Sequence, residues 1–184
     1  MRQVVLQMAV SLDGFVARHD GAGDWGVAAE HPDVTAWKIA SLRQVGTHVM
    51  GRVTYEQMAS HWPSATDGYA ALMNDIPKVV FSTTLERAGW TESRIAAGDV
   101  ADEILSLKRE PGGDIIAHGG ATFVQGLSKL GLIDEYRLVI RPVALSDGLP
   151  LFKDLPEPLL LRLVDATTYP DGTAIHVYQP ARTV

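Results

Sequence analysis

Apolar residues recur along this chain in two rhythms. Runs of strand length, dense in Val, Ile and Leu, fall at residues 4–10, 48–50, 78–81, 114–117, 136–140, 159–164 and 174–178. Between most of them, apolar residues three and four apart predict helices over about 34–44, 53–60, 100–107 and 122–130. Strand followed by helix, repeated, implies a largely parallel sheet covered on both faces. After residue 136 the strands follow one another with only loops between them. Pro170-Asp171-Gly172 is a strong turn signal and predicts a closing antiparallel hairpin. The expected architecture is therefore α/β, a mostly parallel mixed sheet with a C-terminal antiparallel hairpin. The Pro/Gly clusters at 110–113 and 146–150 look like loops inside one domain, and 184 residues suit a single domain over 1–184.

Charge and composition narrow the functions. A net charge of −6 leaves no broad cationic face for DNA or RNA, although one dinucleotide needs only a few backbone N–H groups and one or two Arg. With no cysteine there is no disulfide, thiolate nucleophile or thiolate metal site. The six histidines show no metal-site spacing, and no Gly-x-Ser-x-Gly elbow is present. The first apolar run is too short for a signal peptide or a membrane span, so a cytoplasmic protein with no membrane partner is the expectation.

Two segments are locally alike. Val49-Met50-Gly51-Arg52-Val53-Thr54-Tyr55 and Ala117-His118-Gly119-Gly120-Ala121-Thr122-Phe123 each take an apolar strand into Gly, place a Thr three residues later and an aromatic next. Both are strand-to-helix turns, where Gly permits close backbone approach and the helix start offers unpaired N–H groups to an anion. Either turn alone is equally a capping device. Together they suit opposite sides of a pyrophosphate, although neither is a Walker loop or a GxGxxG fingerprint. Ser82-Thr83-Thr84 ends another apolar run. Its hydroxyls could face an adenosine ribose with Arg52 near a 2′-phosphate, or simply form a turn beside a solvated Arg.

These residues, with Ser11-Leu12-Asp13-Gly14-Phe15, Asp24-Trp25, Leu132-Ile133-Asp134-Glu135 and Pro142 to Pro150-Leu151-Phe152, resemble the reductase domain of bacterial riboflavin biosynthesis and its stand-alone relatives. That family lies within the dihydrofolate reductase-like fold. The resemblance spans nearly the whole chain and implies NADPH as hydride donor. It implies Gly51, Arg52, Thr54, Gly119, Gly120, Ala121 and Thr122 at the pyrophosphate, Ser82 and Thr83 near the adenosine, and the Ala9 backbone with the 13–16 loop at the nicotinamide. It also implies a homodimer through the late strands, and a cis peptide at Gly119-Gly120.

The catalytic side is less determined. Dihydrofolate reductases carry an acidic residue early in the helix before the Met-Gly-Arg strand, and their spacing lands here on Thr35, with Asp33 two residues earlier and Glu30 before that. Asp33 and Asp13 are the candidate catalytic carboxylates, Asp13 being equally a turn residue. Trp25 is either a substrate wall or a loop anchor, and His118 either touches a ligand or is a satisfied strand-end histidine. Asp134-Glu135 is expected on a solvated loop. The function implied is an NADPH-dependent oxidoreductase reducing a small planar heterocycle of pterin, pyrimidine or flavin-precursor type. The alternative is a non-catalytic NADPH- or nucleotide-binding regulatory protein on the same fold.

Overall fold

The computed structural model describes residues 1–23, 25 and 29–181. Its main sheet has eight strands in the order β5 (Ser93–Ile95), β4 (Lys78–Phe81), β3 (Val45–Gly51), β6 (Asp114–Ala117), β1 (Val4–Ser11), β7 (Glu135–Arg141), β10 (Ala174–Pro180) and β9 (Leu161–Thr168). β5 to β7 run parallel, and β10 runs antiparallel to both β7 and β9. A separate two-stranded ribbon pairs β2 (Phe15–Ala17) with β8 (Leu149–Pro150). The mixed sheet and its hairpin are as the sequence predicts.

The central strands read as continuous apolar runs because both sheet faces are covered. On one face Val4, Leu6, Val49 and Val79 pack with Ile104 and Leu107 of α4 (Val100–Arg109) and with Val124 and Leu127 of α5 (Ala121–Lys129). On the other, Met50, Val80 and Ile116 meet Leu42 of α1 (Pro32–Leu42), Tyr55 of α2 (Arg52–His61) and Met73 of α3 (Gly68–Asp75). Fully burying one such side chain contributes about 1.5–3 kcal/mol, so the two layers hold the strand ends in fixed register. Among the described residues no helix is long and apolar enough to cross a membrane.

Three strands and a helix were not evident from periodicity. β2 and β8 are three and two residues long, and β5 is an edge strand reading Ser-Arg-Ile, too short to set a rhythm. α3 buries only Ala70 and Met73, and its start is fixed by the Asp67 carboxylate accepting from the Tyr69 and Ala70 amides. β9 begins at Leu161 and continues through Asp165, Thr167 and Thr168, because an edge strand with both faces largely in solvent has no need of apolar residues. Asp134 does end the loop before β7 but is half-buried, and Glu135 is already a buried strand residue. Asp134 accepts from the Val4 amide (2.8 Å) and Lys108 Nζ (2.7 Å), while buried Glu135 opens β7 and accepts from Arg137 Nε (2.7 Å).

Candidate cofactor and substrate cleft

Parallel pairing of β3 with β6, with Val49 opposite Ala117, makes the two strand-to-helix turns immediate neighbours. Beyond them opens a cleft of about 760 Å³, onto which Gly51, Arg52, Thr54, Ser82, Thr83, Gly119, Gly120, Ala121 and Thr122 all face. The turns nearly touch. A Cβ built on Gly120 would stand 3.0 Å from Thr54 Oγ1, and one on Gly119 would stand 3.2 Å from Met8 Cε. Gly119 has φ +139° and Gly120 φ +81°. No cis peptide occurs among the described residues, so the Gly119-Gly120 bond is trans. Two successive positive φ values reverse the chain without a change of isomer.

The helix starts differ in a telling way. α1, α3 and α4 each have a side chain from the N-cap residue, His31, Asp67 and Asp99, accepting from their first amides. α2 and α5 begin at Gly51 and Gly120, which have no side chain to offer, so their leading N–H groups stay available at the cleft. Two uncapped helix ends, each carrying partial positive charge, thus converge on one gap.

Around the turns the walls are apolar. Phe81 and Phe123 stack with centroids 4.9 Å apart, and Met8, Val16 and Leu149 complete that side. Sequence reasoning missed Met8 and this aromatic pair. Alternation along β1 was the available signal, since it sends Met8 to the cleft and leaves neighbouring Ala9 on the opposite face, exposed and off the cleft wall. Arg52 is the one permanently charged side chain on the described wall, and its Nη1 is 2.8 Å from Glu56 Oε2 one turn along α2. Ser82 Oγ accepts from the Thr84 and Leu85 amides, which fastens the turn after β4.

The candidate catalytic groups lie elsewhere. Asp13 does not border the cleft. Its carboxylate accepts from Ser11 Oγ (2.6 Å) and from the Leu145 and Ser146 amides (3.1 and 2.7 Å). Those donors, Ser11 foremost, pull its pKa down to about 2. Asp33 sits in the first turn of α1 with its side chain 74% exposed, 3.8 Å from His31 Nδ1 and away from the cleft wall. The more enclosed carboxylate is Glu30, which accepts from Lys38 Nζ (2.5 Å) and Thr35 Oγ1 (3.1 Å) and lies 3.8 Å from Arg141 Nη1. Trp25 is buried, and its indole N–H has no acceptor among the described residues. Asp24 lies outside the described residues. His118 does face the cleft, and its Nε2 is 2.8 Å from Nδ1 of His48.

The model of the RibD C-terminal domain matches residues 2–175. The chain belongs to the RibD C-terminal domain family. In keeping with that membership, it is 32% identical over 182 residues to the uncharacterized protein YyaP of Bacillus subtilis, covering 96% of this chain and 94% of YyaP. A crystal structure of a putative riboflavin biosynthesis protein from Shewanella superposes with a TM-score of 0.80 at 26% identity, covering 99% of this chain and 100% of that one. Dihydrofolate reductase from Enterococcus faecalis, complexed with NADP(H), aligns with a TM-score of 0.64 at 13% identity, over 98% of this chain and 97% of that one. The fold is thus dihydrofolate reductase-like.

Proposed function

We propose that this protein is an NADPH-dependent reductase of a small planar heterocycle of pterin, pyrimidine or flavin-precursor type, working as a single cytoplasmic domain. The observation that carries this reading is the convergence of two helix starts without side-chain caps, at Gly51 and Gly120, on one cleft. Their amides would hold the pyrophosphate, with the Thr54 and Thr122 hydroxyls beside them. Ser82 and Thr83 would lie at the adenosine end. Arg52 would turn from Glu56 to the 2′-phosphate, exchanging one charge-assisted pair for a stronger one. When bound, NADPH supplies hydride to a C=N or C=O carbon, and the apolar wall of Met8, Phe81 and Phe123 keeps water from the reacting face.

Titration of NADPH, followed by its fluorescence, tests the cofactor assignment. Saturable binding is expected, weaker for NADH, and Arg52→Ala should cost NADPH more than NADH. No saturation at millimolar NADPH removes the assignment, and equal losses for both cofactors remove Arg52 from the 2′-phosphate. The described cleft wall includes no carboxylate, which favours a second reading, a regulatory protein that binds NADPH without turnover. Oxidation of NADPH by dihydrofolate or by pyrimidine and flavin precursors decides between the two. A homodimer through the exposed β9 edge, where Leu163 and Val164 face solvent, completes the proposal, and light scattering giving only monomer mass would refute it.

A further inference from the structure

His118 immediately precedes the Gly119-Gly120 turn, and phosphate binding makes no use of its ring. The ring instead ends a short chain of hydrogen bonds. His48 Nε2 lies 3.4 Å from the carbonyl oxygen of Leu72 in α3, and His48 Nδ1 lies 2.8 Å from His118 Nε2. A carbonyl oxygen only accepts, so the proton of a neutral His48 sits on Nε2 and its Nδ1 is bare. His118 must then place its own single proton on Nε2, to donate to that nitrogen. Its Nδ1 is left as an acceptor, and no described residue donates to it.

This arrangement of protons holds while both rings are neutral, and their surroundings keep them so. Burial is the main cause in each case. It brings His118 to about 4, helped by Lys38 of α1, and takes His48 well below the ordinary histidine value, helped by His118 and by Lys78 of β4. The pair belongs to the sheet face covered by α1 and α3, since His48 reaches Leu72 there and Ile116 of β6 packs in the core beneath. Met8, Ala121 and Phe123 pack into the opposite layer. His118 thus stands on the cleft wall beside the Gly119-Gly120 turn, with its ring held from the α3 side by His48.

We propose that His118 recognises the reducible substrate, accepting at Nδ1 a hydrogen bond from a ring N–H or amino group of a planar heterocycle. His48 and the Leu72 carbonyl are positioning groups that keep that nitrogen bare. The inference rests on the reductase reading and adds the hydrogen-bonding class of its substrate. An analogue without that donor would leave a desolvated acceptor unpaired and should bind roughly tenfold or more weakly.

Two measurements test it. Long-range proton–nitrogen correlation spectra of the full chain labelled with ¹⁵N-histidine, at neutral pH and without ligand, should show both rings as Nε2–H tautomers. An Nδ1–H form or an imidazolium at His118 overturns the proposal. In the second, 6-aminouracil is titrated into NADP⁺-loaded protein. The His118 Nδ1 resonance should shift on saturation, and His118→Phe, checked for folding by thermal melting, should lose roughly tenfold or more in 6-aminouracil affinity while NADP⁺ affinity is kept. His118→Gln, which retains an acceptor, should fall between the two and serves if the Phe variant does not fold. No binding of 6-aminouracil to wild type, or wild-type affinity in both variants, overturns the substrate role. Failure of NADP⁺ itself to bind would instead remove the cofactor reading, and the tautomer spectra report independently of it.

Discussion

Gly120→Ala puts the geometry of the cofactor cradle into a single methyl group. Gly120 has φ +81° and ψ 97°, a conformation that a residue with a Cβ enters at a cost of about 1–3 kcal/mol. The added Cβ would also stand 3.0 Å from Thr54 Oγ1 and 3.7 Å from Phe123 Cβ, so the facing turn must give way. In a chain of this size 1 kcal/mol moves the melting temperature by about 2–4 °C, so a loss of about 2 kcal/mol lowers it by about 4–8 °C. The methyl also fills the gap between the two uncapped helix starts, and NADPH affinity should fall more than about tenfold, about 1.4 kcal/mol.

Gly126→Ala is the matched control. It lies in the same helix with no heavy atom within 4 Å of a built Cβ, and φ is not positive there. It should stabilise by about 0.5–1 kcal/mol and leave NADPH binding unchanged. Thermal unfolding separates strain from binding, and fluorescence titration measures affinity. Wild-type NADPH affinity in Gly120→Ala would refute the placement of phosphate between the turns, and a wild-type melting temperature would refute the strain.

Glu56→Gln should release Arg52 and tighten NADPH by roughly twofold, because an exposed i,i+4 pair is worth about 0.3–0.5 kcal/mol; titrations at low and high salt should show the gain shrinking as salt rises. Asp13→Asn should speed amide exchange at Leu145 and Ser146, which the carboxylate now holds. Because the Asp13 pKa is depressed from 3.8 to about 2, this protection in the wild type is full above pH ~4 and fades toward pH ~2, and exchange unchanged across that range would remove the carboxylate clamp. The His48–His118 pair acts in a higher range. A histidine held neutral in the fold contributes full stability above its unfolded value of 6.5, and loses it as the pH falls toward about 4, where His118 itself titrates. Urea midpoints should therefore fall between pH 6.5 and 4 more steeply in the wild type than in His118→Phe, and parallel profiles would refute the assignment.

The two glycine turns that meet at the cleft were legible in the sequence and the side-chain clusters beside them were not, for a physical reason. Binding an anion through backbone amides demands small residues at the strand end and a helix beginning at once. Those demands are local, so Gly51 to Thr54 and Gly119 to Thr122 carry them in a few letters. Their meeting was a matter of topology, since β6 had to insert between β1 and β3 before Val49 could face Ala117. The stacking of Phe81 on Phe123 follows from the same insertion and has no local mark of its own.

Substrate recognition uses side chains from distant strands, and spacing along the chain says little about it. A helix turns about 100° per residue, so an uncertainty of two positions in α1 left Asp33 and Thr35 unseparated, and an uncertain loop length before the helix left Glu30 beside them. The fold separates them by solvent access. Asp33 points outward, while Glu30 is enclosed by Thr35, Lys38 and Arg141. His48 and His118 are 70 positions apart and read as unrelated, yet the pairing of His48 with Ile116 puts their rings in hydrogen-bonding contact. A proton fixed by the Leu72 carbonyl in α3 is thereby felt as a bare nitrogen at the cleft. The chemistry offered to a substrate is thus set by packing between β3, β6 and α3. On the proposed reading, relatives that keep both glycine turns would share a cofactor while differing in the molecule they reduce.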